Sequence, residues 1–144
     1  MRVAVIDGQG GGLGRSIVEI LKQSLPSDVE IIALGTNALA TGAMLRAGAS
    51  VGATGENAIC VTAPKVDMIV GPIGIVVANS MLGELTPAMA AAIATSPAPK
   101  FLVPTNRCNL HVVGYRTKPL TQVLQELVCD IADYLGEQDV SPST

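Results

Sequence analysis

Short β-branched runs alternate with helix-period segments along this chain, and the first run feeds a glycine-rich turn. Together these predict an α/β fold: a doubly wound, mostly parallel sheet between two helical layers, α/β/α. The runs are Val3–Ile6, Glu30–Leu34, Ala58–Val61, Val66–Val70, Lys100–Val103 and Leu110–Val113. They lack the apolar/polar alternation of a one-faced strand, so they read as strands buried on both faces of a parallel sheet. Val3–Ile6 is expected in the sheet interior with Glu30–Leu34 beside it.

The helices follow from period and punctuation. Leu13, Ile17, Ile20, Leu21 and Leu25 recur at the helical spacing with Arg15, Glu19, Lys22 and Gln23 opposite, until Pro26 stops the pattern. A shorter helix spans about Ala38–Ala47, with Gly48 as its C-cap. Thr86 is an N-cap with Pro87 at the first helical position of an Ala-rich segment reaching Thr95. The last helix, Pro119–Leu135, carries Leu120, Val123, Leu124, Leu127, Val128, Ile131 and Leu135 in one stripe, and Gly136 is expected to end it. This makes one domain over 1–136 and a polar tail over 137–144.

Composition bounds the function. Of 144 residues 49% are apolar and only 15% charged, so the core is large and the surface greasy. Such a surface suggests a homo-oligomer, most simply a dimer. Nine scattered basic residues and a net charge of −3 argue against nucleic acid as a partner. No apolar run has the length of a signal peptide or a membrane span, which points to a cytoplasmic protein with no membrane partner. Three cysteines without C-x-x-C spacing and a single histidine, His111, give no metal site. His111 lies in an apolar run and reads as structural.

The string Asp7-Gly8-Gln9-Gly10-Gly11-Gly12-Leu13-Gly14 sits between strand one and helix one. Glycine lets the backbone turn tightly and approach a ligand, and the helix start offers free N–H groups and a positive end to an anion. G-x-G-x-x-G fails here, because Leu13 or Arg15 falls where the third glycine belongs. G-x-x-x-G-x-G fits, through Gly8, Gly12 and Gly14. That spacing resembles the cofactor loop of the short-chain dehydrogenase/reductase superfamily, which implies NAD(P) or another nucleotide as cofactor. The competing reading is a turn that only lets helix one lie close on the sheet. Two departures count against hydride chemistry. The second strand ends in Gly35-Thr36-Asn37 with no carboxylate for a ribose, and the superfamily's Tyr-x-x-x-Lys has no match, Tyr115 and Lys118 being one position too close.

Other polar groups sit at the expected ligand side of the sheet. Thr36 and Asn37 follow strand two; Thr54, Glu56 and Asn57 lie in GATGENAI; Gly74, Asn79, Ser80 and Glu84 follow strand four. Thr105, Asn106 and Arg107 follow strand five, and Arg107 suits a carboxylate or phosphate. Glu56 and Glu84 are candidate acid–base carboxylates, and Cys108 beside Arg107 is a candidate nucleophile. An inert thiol and solvated turns are the plainer alternatives.

The strings AVIDGQGGGLG, EIIALGTNALAT, GATGENAI, DMIVGPIGIV, ANSMLGELTP and PTNRCN, in that order, resemble a family of short bacterial proteins, a domain of unknown function. The likeness covers residues 3 to about 130. It implies a Rossmann-like fold and carries no activity with it. The combined expectation is a phosphate-bearing small molecule bound at Gly8–Gly14, with Thr36, Asn37, Gly74, Asn79, Ser80 and Thr105–Arg107 completing the crevice. The chain would serve as a small binding, sensor or accessory protein. The alternative is a small oligomeric enzyme, an oxidoreductase or a phosphate-handling lyase or transferase.

Overall fold

The computed structural model describes residues 1–105 and 109–140. Five strands, β1 (Arg2–Asp7), β2 (Glu30–Gly35), β3 (Val51–Thr54), β4 (Met68–Pro72) and β5 (Lys100–Val103), form one sheet in the order β3-β2-β1-β4-β5. Every pair is parallel. β1 is the central strand, with Val3 opposite Ile31 of β2 on one side and Met68 of β4 on the other. The doubly wound α/β reading holds.

Residue parity in the strands divides the core in two. Val3 and Val5 of β1, Ile31 and Ala33 of β2, and Met68 and Val70 of β4 face α1 (Gly12–Ser24), α2 (Ala38–Arg46) and α5 (Leu120–Val140). Ala4, Ile6, Ile32, Leu34 and Ile69 face α3 (Glu56–Thr62) and α4 (Pro87–Thr95) on the opposite face. Both faces are covered, so the strands need continuous apolar sequence. Helix α4 starts as expected, the Thr86 hydroxyl accepting a 3.2 Å hydrogen bond from the Met89 amide with Pro87 at the first position.

Four expectations are corrected. Ala58–Val61 lies inside α3, where Ile59 alone is fully buried and the neighbouring positions are not. Helix dipole and packing override β-propensity there: Glu56 occupies the first turn. The third strand is instead β3, an edge strand whose residues are exposed or half-buried, so it has no apolar run to reveal it. Backbone pairing with β2, from Ile32↔Val51 to Gly35↔Thr54, holds it. Leu110–Val113 forms no strand, and Val113 is 99% exposed. β4 begins at Met68 rather than Val66 and runs on to Pro72. Finally, α5 continues through Gly136 to Val140, because one exposed glycine costs a helix only about 1 kcal/mol.

Candidate functional site

Strand order reverses between β1 and β4, and in open parallel sheets the crevice beyond such strand ends is where ligands bind. β1 ends in Asp7, which is buried. Its Oδ1 accepts from the Gly8 amide at 2.8 Å and its Oδ2 from the Gly14 amide at 2.7 Å. One carboxylate thus braces both ends of the glycine loop and satisfies one orphan donor of α1. The turn itself closes through Gly11, whose φ of 73° is left-handed. A Cβ there would lie 2.7 Å from Ala40 Cα in α2, so no other residue fits.

The remaining donors face outward. Among the described residues the amides of Gly10, Gly12 and Leu13 have no hydrogen-bond partner. A Cβ at Gly10 or at Gly12 would meet open space. These amides open onto a cleft of about 800 Å³ lined by Asp7 and Gly8–Leu13 on one wall and by Pro72, Gly74, Ser80, Met81, Leu82, Thr105 and Leu120 on the other. That volume suits a small ligand or cofactor.

Past β4 the chain turns through Ile73–Val76 and doubles back, with Asn79, Met81, Leu82 and Gly83 all at left-handed φ. The Ser80 hydroxyl donates to the Gly74 carbonyl at 2.6 Å, and the Asn79 amide to the Leu85 carbonyl at 2.8 Å. This reversal carries Glu84 across the end of β1 to the end of β2. There its Oε1 accepts from the Gln9 amide (3.0 Å), the Thr36 hydroxyl (2.7 Å) and Asn37 Nδ2 (2.7 Å). Asn37 also caps α2, its Oδ1 accepting from the Ala40 amide at 2.9 Å. A single carboxylate oxygen therefore ties the glycine loop, β2 and the 77–85 reversal together.

The hydrogen bond from the Gln9 amide holds the Glu84 carboxyl below its ordinary value; burial opposes this, and the Thr36 and Asn37 bonds add to it. The sign follows. A carboxyl whose folded value is depressed contributes stability at neutral pH and loses it as pH falls through that value. Wild type should therefore melt higher than Glu84→Gln at pH 7, and the difference should shrink as pH falls through the lowered value of the folded Glu84 carboxyl. A Tm difference that does not change with pH would show that the charge on Glu84 is idle.

The structure places the expected site residues in three groups. Gly8, Gln9, Gly10, Gly11, Gly12, Gly74, Ser80 and Thr105 line the cleft. Gly14 lies beneath the loop against Asp7 and Met44, while Thr36 and Asn37 are turned to Glu84 and do not line the cleft. Asn79 is exposed outside the cleft, and Glu56 is exposed in the first turn of α3 and lines none of it. Asn106, Arg107 and Cys108 lie outside the described residues. Sequence reasoning passed over the bracing role of Asp7 and the apolar wall of Pro72, Met81, Leu82 and Leu120. A carboxylate directly after a buried strand and before a glycine turn was the available signal for Asp7. The wall gave none, since Met81 and Leu82 stand in a long, mostly apolar run with nothing to mark them out.

Among the described residues no helix is long and apolar enough to cross a membrane, and no cluster of His, Cys, Asp and Glu is placed to hold a metal ion. The sequence profile of one family, a domain of unknown function (DUF3842), matches residues 2–136. The chain belongs to that family. No curated protein matches this DUF3842 chain. Among solved structures it is similar to a dodecameric FMN-dependent UbiX-like decarboxylase from Escherichia coli O157:H7, at 14% identity and a TM-score of 0.54, covering 94% of each chain. At that identity the likeness is one of fold. The resemblance of the DUF3842 glycine loop to short-chain dehydrogenases rests on glycine spacing alone.

Proposed function

We propose that this protein binds a nucleotide or another phosphate-bearing metabolite in the cleft at Gly8–Gly14, as a small binding, sensor or accessory protein. The observation that carries the reading is the set of unpartnered amides at Gly10, Gly12 and Leu13, opening from a helix N-terminus into a ligand-sized cleft. Phosphate oxygens take such donors without any cationic side chain. The apolar wall opposite, Pro72, Met81 and Leu82, suits the ring or chain that a phosphate carries. A homo-oligomer in solution belongs to the same reading, since Leu82 is 99% exposed and Leu120 46% exposed at the cleft.

A second reading is a small oligomeric enzyme with the cleft as its active site. It is favoured by the structural neighbour, which is FMN-dependent, a decarboxylase and dodecameric. The carboxylates nearest the loop speak for the first reading. Asp7 braces both ends of the glycine loop and Glu84 Oε1 is taken by Gln9, Thr36 and Asn37, so each carboxylate has a structural role beside the cleft.

Thermal shift against mononucleotides, dinucleotides and sugar phosphates tests the proposal. At about a hundred times its Kd a true ligand should stabilise the fold by about 2.7 kcal/mol. Light scattering on the same sample should give a mass above that of one chain. A panel that leaves the Tm unmoved, inorganic phosphate included, would count against the phosphate reading.

A further inference from the structure

The two sides of the glycine loop are not equivalent. Toward β4 and β5 it faces the open cleft. Toward β2 it is covered: a Cβ at Gly8 would lie 2.6 Å from Met81 Sδ, 2.6 Å from Thr36 Oγ1 and 3.4 Å from Glu84 Oε1. In sheets wound this way a dinucleotide spans the crevice, with its pyrophosphate over the loop and its adenosine ribose held at the end of the second strand. Here the donors at that strand end, Thr36 Oγ1 and Asn37 Nδ2, are both bound to Glu84, and so is the Gln9 amide. No residue of the β2 end lines the cleft.

We propose that Glu84 is a specificity-determining residue: bound across the end of β2, it closes the adenosine side of the loop and restricts the cleft to mononucleotides and similar phosphomonoesters. The proposal rests on the phosphate reading above. Its physical basis is twofold. Glu84 Oε1 already accepts three hydrogen bonds and takes up the Thr36 and Asn37 donors that a ribose could use, and the carboxylate would repel the second phosphate of a pyrophosphate passing toward β2. The 77–85 reversal that delivers Glu84 also supplies Ser80, Met81 and Leu82 to the cleft wall. One segment therefore shapes the open side and shuts the other.

Matched ligand pairs test this. FAD is FMN extended by adenosine monophosphate, and NAD+ is nicotinamide mononucleotide extended in the same way. Titration calorimetry of the wild-type protein should show binding of at least one mononucleotide, with its dinucleotide weaker by at least about tenfold. Glu84→Ala should narrow that gap, because Thr36 and Asn37 are then free to receive a ribose. Glu84→Gln retains an acceptor oxygen but loses the charge, and should narrow the gap only in part. Equal affinities within the pair, or a gap unchanged in a folded Glu84→Ala, would overturn the proposal and leave the phosphate reading standing. A wild type that takes none of the four compounds overturns this proposal, and the phosphate reading is then decided by the thermal-shift panel above. Should Glu84→Ala fail to fold, Glu84→Gln decides: a gap unchanged in that variant would overturn the proposal.

Discussion

Gly14→Val should lower the free energy of unfolding by about 2–4 kcal/mol, read as an earlier urea midpoint at unchanged slope. A Cβ at this position would lie 2.7 Å from Met44 Sδ and 2.8 Å from Asp7 Cβ. The thioether is the end of a flexible chain and can swing away. Asp7 Cβ cannot, because it is attached to the central strand, whose backbone is paired on both sides. Valine would push α1 off β1 and stretch the 2.7 Å bond from the Gly14 amide to Asp7 Oδ2. Charge-assisted bonds of this kind contribute about 1.5–3 kcal/mol when buried, so packing and hydrogen bonding are lost together. Asp7→Asn should be milder, since an amide oxygen still reaches one of the two loop amides. If Gly14→Val melts like wild type, helix and strand are less tightly apposed than these distances state.

How much of this was legible in sequence depends on where each residue's partners lie. Val3–Ile6 and Glu30–Leu34 read correctly as adjacent interior strands because burial on both faces imposes an unbroken apolar run, and that constraint is local. Val51–Thr54 escaped because an edge strand is held by backbone pairing with β2, which leaves no trace in side-chain type. Ala58–Val61 misled for the opposite reason: its β-branched residues suit a strand, yet only Ile59 faces the core. The site divides in the same way. Gly8–Gly12 announce a tight turn before a helix, and the cleft is there. Thr36 and Asn37 stood at a strand end where ligands bind, but their donors go to Glu84, 48 and 47 residues distant in sequence. No local pattern encodes that contact. It depends on the left-handed reversal through Asn79, Met81, Leu82 and Gly83, two of which, Met81 and Leu82, are residues that rarely signal such a turn.

Gly12→Val should abolish the ligand-induced thermal shift while leaving a folded protein. Gly12 opens α1, is exposed, and a Cβ there would meet nothing. Valine at this position therefore creates no clash in the empty protein, and it removes the flexibility that glycine brings to a helix. The cost comes only when the cleft is filled. Its two methyl groups would stand beside the amides of Gly12 and Leu13, in the space that phosphate oxygens must enter to reach them. Loss of two such bonds to an anion, at about 1.5–3 kcal/mol each, weakens binding by a hundredfold or more. At a concentration that gives wild type about 2.7 kcal/mol of stabilisation, the variant should then gain less than about 0.5 kcal/mol. The measurement is thermal shift with the phosphate-bearing compound that moves wild type most, applied to both proteins at one concentration. Gly14→Val serves as the contrast: it should lose stability without ligand and, where still folded, retain much of the shift. A Gly12→Val protein that keeps the full shift would mean the loop's amides do not hold the ligand, and the glycines at positions 10 and 12 would then be there for the turn alone.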